Sequence, residues 1–135
     1  MKNLLSYGLV CFSVLIIAYA FVVYSSENDA IEFLSYYGWQ VEEKPIESAP
    51  VLIPEEFDTI FEDYNLLQKE AGLDLKAYRG QKGTRYTYRV MNYPENIENV
   101  RANVIVIDGK AVGGDISTVA LDGFMHSLKY SFQKS

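Results

Sequence analysis

Apolar residues are distributed along the chain in several distinct patterns. From Leu4 to Tyr24 they run for 21 residues without a charge, LLSYGLVCFSVLIIAYAFVVY. A helix of about 20 apolar residues spans the hydrocarbon core of a bilayer. Residues 1–26 are therefore expected to be a membrane anchor, inserted through residues 4–24. The competing reading is a signal peptide cut after Ala18-Tyr19-Ala20, which has the small-x-small form of a cleavage site. Cutting there would leave Phe21-Val22-Val23-Tyr24 as an exposed apolar end. Cys11 follows the bulky Val10, which does not suit lipoprotein attachment, and reads as one more apolar residue of the span.

Ala30, Phe33, Leu34 and Tyr37 recur at helical spacing, which predicts a separate amphipathic helix. Ser25, Ser26 or Asn28 would cap its start and Gly38 would take the left-handed position at its end. Trp39, with Tyr36 and Tyr37, reads either as a headgroup-level ring or as core, and a buried Trp is the commoner arrangement. Pro45 and Pro50 restrict Gln40–Ile53 to an edge strand or an extended loop. A second helix is expected from Pro54, with Glu55, Glu56 and Asp58 at the positive end of its dipole. Phe57, Ile60, Phe61, Tyr64 and Leu67 form its apolar stripe, Lys69 lies in its last turn and Gly72 ends it.

Beyond the basic, glycine-punctuated loop Lys76–Gly83 the period changes to two. Thr84, Tyr86, Tyr88 and Val90 alternate with Arg85, Thr87 and Arg89, which predicts a strand with an aromatic face and a cationic face. Val100–Ile107 and Lys110–Ser117 flank Asp108-Gly109, the strongest short-range hairpin signal. Val104–Ile107 is apolar on both faces and so should be central, and Gly113-Gly114 indicates a bulge or a close backbone approach. Leu121, Phe124, Met125, Leu128 and Phe132 have helical spacing, with Asp122 as a cap. The fold class expected is α+β: the anchor, then one domain over residues 27–135, with helices packed on an antiparallel sheet of about three to four strands.

Four blocks, IPEEFDTIFEDYNLLQKEAGLDLKAYRG, TRYTYRVMNYP, VRANVIVIDGKAVGGDIS and LDGFMHSL, run from Ile53 to Leu128. With GWQVEE they cover most of the exported domain. In these blocks the chain resembles an uncharacterised family of small exported or membrane-anchored proteins from Gram-positive, largely spore-forming bacteria, known only as a domain of unknown function. The resemblance implies a shared fold and an envelope location, and no reaction.

Charge changes the picture in two ways. All 18 acidic residues lie at or after Glu27, and only Lys2 of the 12 basic ones precedes them. With positive charge inside, the N-terminus is expected in the cytoplasm and the domain outside a bacterial cell membrane crossed once. Setting Lys2 aside leaves 18 acids against 11 bases, a formal −7 that does not attract nucleic acid. The acids are also unevenly placed. Residues 27–63 hold 11 acids and one base, whereas residues 64–135 hold 7 acids and 10 bases. Among the latter, Arg79, Lys82, Arg85, Arg89 and Arg101 form a basic group. They are expected either to bind an anion or acidic partner, above all through Arg85, Arg89 and Arg101, or to balance Glu55, Glu56 and Asp58 within the fold.

One Cys excludes a disulfide framework and a multi-Cys zinc site, and one His excludes a two-His metal motif, so no metal or other cofactor is expected. His126 with Asp115 or Asp122 is the one His-centred acidic set, with Ser117 or Thr118 as the nearest hydroxyls. Its structural reading is a helix cap beside a surface or half-buried His. Gly80-Gln81-Lys82-Gly83-Thr84 lacks the full spacing of a phosphate loop. Eleven Tyr and seven Phe build either a core or an aromatic platform for peptide or glycan. The function expected is a non-enzymatic binding or interaction module whose partner is an envelope protein or acidic ligand. The alternative is a small envelope hydrolase built on His126.

Overall fold

The structure is a computed structural model that describes residues 2–130, with side chains from Ser6 onward. A single helix, α1 (Lys2–Tyr36), contains both the apolar run and the amphipathic segment expected to be a separate helix. Ser25, Ser26 and Asn28 do not start a new helix, because tertiary contacts hold the backbone helical across them. Ser26 is buried, Asp29 Oδ2 accepts from the Ala111 amide at 2.7 Å, and the Tyr88 hydroxyl donates to the Glu27 carbonyl at 3.4 Å. The apolar half of α1 is bare: Leu9, Phe12 and Ile17 are among its exposed side chains. It is long and apolar enough to cross a membrane.

The end of α1 follows from Gly38, whose φ of 89° only glycine adopts cheaply. The Gly38 amide bonds Ser35 O at 2.9 Å and the Trp39 amide bonds Leu34 O at 3.0 Å, a Schellman closure. Its apolar contact is supplied by Leu34 and Trp39, both fully buried in the same cluster. Trp39 is thus core rather than a headgroup ring, and its indole N–H donates to Leu128 O at 2.7 Å.

Five antiparallel strands follow chain order across one sheet: β1 (Glu47–Leu52), β2 (Lys82–Arg89), β3 (Val100–Ile107), β4 (Lys110–Thr118) and β5 (Met125–His126). The β3–β4 turn has positive φ at both Asp108 (50°) and Gly109 (75°), the primed geometry that fits strand twist. A bulge leaves Val112 unmatched between the Val106–Ala111 and Ile105–Gly113 pairs. Gly114 is where a close approach demands glycine, since a Cβ there would collide with the Asn103 carbonyl oxygen.

The sheet is covered on both sides. On one face, Tyr86, Tyr88, Val104, Val106 and Ile116 pack under Ala30 and Leu34 of α1. On the other, Ile105, Ile107 and Val112 meet Ile53, Leu75 and the flank of α2 (Thr59–Glu70). Helix α2 starts later than Pro54 suggests, because Asp58 wins the cap: its Oδ1 accepts from the Phe61 amide at 2.8 Å. Its inward face is also rotated from the expected stripe. Ile60 is 80% exposed, while Asn65 and Gln68 are fully buried. Asn65 Oδ1 accepts from the Leu75 amide (2.8 Å) and Gln68 Oε1 from the Gly114 amide (2.8 Å), so both polar ends are satisfied.

The expected helix over Leu121–Phe132 is absent as far as Tyr130, and Phe132 lies outside the described residues. Met125–His126 instead forms β5, paired with Ile116 and Ser117.

Candidate functional site

Helix α2 covers only the half of its face nearest the β3–β4 turn. The remaining half carries polar and cationic side chains in rows set by strand register. Thr87, Asn103 and Asp115 lie side by side on β2, β3 and β4, and Arg89, Arg101 and Ser117 form the next row outward. Arg85 stands on the same face, two residues before Thr87.

The inner row is a closed hydrogen-bond network. Thr87 Oγ1 donates to Asn103 Oδ1 at 2.7 Å, and Asn103 Nδ2 donates to Asp115 Oδ1 at 2.9 Å and Ser117 Oγ at 3.3 Å. Tyr64, on α2, donates its hydroxyl to Asp115 Oδ2 at 2.7 Å. Asp115 is 3% exposed. Burial raises its pKa above the ordinary value, against the opposing pull of the Tyr64 and Asn103 hydrogen bonds, Arg85 and His126. Tyr64 is pushed well up, first by burial and then by the charge and hydrogen bond of Asp115. The network fixes β2, β3, β4 and α2 in mutual register, so the outer row stands on a rigid floor.

Arg85, Arg89 and Arg101 therefore share one face. Their acidic neighbours are not Glu55, Glu56 and Asp58, as internal balance would have it. Arg85 meets Glu47 at 3.4 Å and Arg89 meets Glu42 at 3.7 Å, both between exposed side chains. Such pairs contribute little. Arg101, half-buried and directly across from Arg89, forms no ion pair among the described residues. Two like charges facing each other on adjacent strands repel. Beyond Arg89 a cleft of about 400 Å³ opens along Met91 and Tyr93 to Asn96 and Asn99, with Glu98 as the acidic side chain of its lining.

The His-centred set is not assembled. Asp122 is exposed in the turn before β5, with no helix to align it with His126. His126 pairs with Ile116 and so shares its face of the sheet, whereas Asp115 points to the opposite face. His126 Nδ1 lies 2.7 Å from the Ser127 carbonyl, which can only accept, so Nδ1 carries the proton. On the other side of the ring, Nε2 lies 2.9 Å from the Tyr93 hydroxyl. The ring stacks between Phe124 (5.4 Å) and Tyr130 (5.2 Å). Ser117 bonds Asn103, and Thr118 Oγ1 accepts from the Phe124 amide at 3.1 Å. Neither hydroxyl is hydrogen-bonded to His126. No cluster of three His, Cys, Asp or Glu suited to a metal occurs among the described residues.

Asn103, Thr87 and Tyr64 were not legible as site residues. The alternation Val100, Arg101, Ala102, Asn103, Val104 carried the signal, since it puts Arg101 and Asn103 on one side of β3.

The architecture is thus an α+β domain, an antiparallel meander with a helix on each face, continuous with a helix able to cross a membrane. The family model described as Domain of unknown function (DUF4830) matches residues 33–116, and the chain belongs to that family. The match takes in the Tyr64–Asp115–Asn103 network and all three arginines, while Asp122 and His126 lie beyond it. No curated protein and no solved structure matches the chain.

Proposed function

We propose that this protein is a non-enzymatic binding module, anchored once in the bacterial cytoplasmic membrane with its domain outside, that holds an acidic segment of an envelope protein on the arginine face. The carrying observation is the Arg89–Arg101 pair. The two arginines are directly paired in register on adjacent strands, and Arg101 has no ion-pair partner among the described residues. A carboxylate placed between them replaces repulsion with charge-assisted, bidentate contacts. The Thr87–Asn103–Asp115 row beneath holds both strands in place before the ligand arrives, which lowers the ordering cost of binding.

Orientation rests on charge: Lys2 precedes the apolar run, and Glu27, Asp29 and Glu32 follow it. The test is capture from membranes. Full-length protein carrying an affinity tag is cross-linked in cells, alongside the double charge reversal Arg89→Glu, Arg101→Glu. One discrete cross-linked partner, lost in the reversal variant at equal expression, is expected. An unchanged cross-linking pattern in the variant contradicts the reading.

A further inference from the structure

The opposite end of the sheet carries a second surface. Leu52 closes β1 opposite Lys82, the first residue of β2, and Ile107 and Lys110 flank the Asp108–Gly109 turn at the same end. This end lies beside the apolar run of α1 rather than above it. Gly109 shares a crevice with Phe21 and Tyr24. Tyr86 on β2 stands near the same helix: burial first, then the charge of Glu27, raises its pKa above the ordinary value, with a smaller contribution from Tyr19. From Tyr24 to Tyr36 the helix never breaks, so no hinge lifts the domain away.

Length sets the depth. From Leu4 to Tyr24 a helix rises about 30 Å at 1.5 Å per residue, roughly the thickness of the hydrocarbon core. Phe21–Tyr24 then falls at the boundary between acyl chains and headgroups, and the β3–β4 turn falls level with it. Exposed Lys82 and Lys110 are placed to meet lipid phosphates, and Leu52, 56% exposed, presents an aliphatic side chain at the same end. Of the acids at this end, Asp29 is committed to the Ala111 amide, while Glu32 in the same crevice and Asp108 in the turn are exposed.

We propose that Leu52, Lys82 and the Asp108–Lys110 turn form a membrane-contact surface, resting in the phospholipid headgroup layer of the bilayer that α1 spans. The contact holds the domain upright. Arg101 lies six residues along β3 from Ile107, about 20 Å at 3.3 Å per residue. That exceeds the Debye length of about 8 Å at physiological salt, so the arginine face is screened from lipid charge and stays open to its own ligand. The proposal rests on the membrane-spanning reading of α1 and is independent of what the arginines bind.

Quenching depth in vesicles tests it. The full chain is prepared with Cys11→Ser and a single new cysteine at Leu52→Cys, Lys110→Cys or the distal Lys44→Cys. Each carries an environment-sensitive fluorophore and is reconstituted into phosphatidylcholine–phosphatidylglycerol vesicles. Headgroup-spin-labelled lipid is expected to quench positions 52 and 110 several-fold more than position 44. Equal quenching at all three overturns the contact. A fourth sample, labelled at the native Cys11, separates the two ways of failing. Acyl-chain quenching at Cys11 without headgroup quenching at 52 and 110 overturns the contact alone. No acyl-chain quenching at Cys11 overturns the span and the contact with it.

Discussion

Gln68→Met is the most informative single change in the core, because apolar burial and hydrogen bonding predict opposite signs. Gln68 is fully buried, and its Oε1 takes the Gly114 amide at 2.8 Å. That amide points towards the β5 side of the sheet, but β5 pairs only with Ile116 and Ser117, so Gly114 lies beyond its reach. Gln68 closes the gap. Met keeps the length of the side chain and adds an apolar terminus, worth about 0.8 kcal/mol per buried methylene-sized group. Counted that way, the substitution stabilises. It also leaves a buried amide donor unsatisfied, which costs about 1–3 kcal/mol. The net expectation is a loss of about 0.2–2 kcal/mol. Full-length protein in mild detergent reports this through Trp39, the only tryptophan and 1% exposed. With a urea slope of about 2 kcal/mol per molar, the midpoint should fall, by up to about 1 M. Leu66→Ser, on the outward face of α2, serves as the control and should stay within about 0.5 kcal/mol of wild type. A Gln68→Met midpoint at or above wild type refutes the assignment of Gln68 as the partner of the sheet edge.

Two further outcomes follow from the same contacts. Because burial raises the Asp115 pKa above its ordinary 3.8, the folded chain holds that proton more tightly than the unfolded chain. Stability should therefore decline as pH rises through 3.8 to the native value and level off above it. In urea midpoints measured against pH, the wild-type minus Asp115→Asn difference should fall over that window; a difference that rises with pH contradicts the assignment. On α2, Phe61→Ala should cost more than about 1 kcal/mol but less than the about 3–5 of a fully buried Phe, while Ile60→Ser stays within about 0.5. Comparable losses at both positions, read by the same titration, would show that the helix face is misassigned.

The sequence was legible where local chemistry and burial agree. The β3–β4 hairpin appears where Asp108-Gly109 places it, and the alternating aromatic and cationic faces of β2 hold at Tyr86, Tyr88, Arg85 and Arg89. Thr87 departs from that pattern, buried by Asn103 rather than wet. The expectations that failed did so through contacts distant in sequence. Capping residues at Ser25–Asn28 are compatible with a helix interior, and only the docking of Ser26 and Asp29 on the sheet decides between them. The stripe on α2 looked apolar because Phe57 and Ile60 fit a helical period. Asn65 and Gln68 are drawn inward by backbone amides of Leu75 and Gly114, which no spacing rule anticipates. At Phe124–Leu128 helical spacing over a few residues does not distinguish a helix from an edge strand. Pairing with β4 makes Met125–His126 a strand, and the indole of Trp39 reaching Leu128 O ties down the irregular segment after it. The arginine face was half visible: the strand period aligned Arg85 with Arg89, but the position of Arg101 opposite Arg89 depends on strand register.

The claim that Arg89 and Arg101 together grip carboxylates is tested most directly by titrating full-length protein in detergent with a fluorescein-labelled poly-glutamate peptide. Wild type should bind saturably and more weakly as salt rises, because exposed charges are screened. Arg101→Ala and Arg89→Ala should each lose at least about tenfold, the equivalent of about 1.4 kcal/mol for one charge-assisted contact. Arg79→Ala with Lys82→Ala, at the other end of the sheet, should bind as wild type does. Equal loss in that distal pair, or no loss on removing Arg89 and Arg101, would mean that the peptide senses only bulk charge and that the arginine face is not a site.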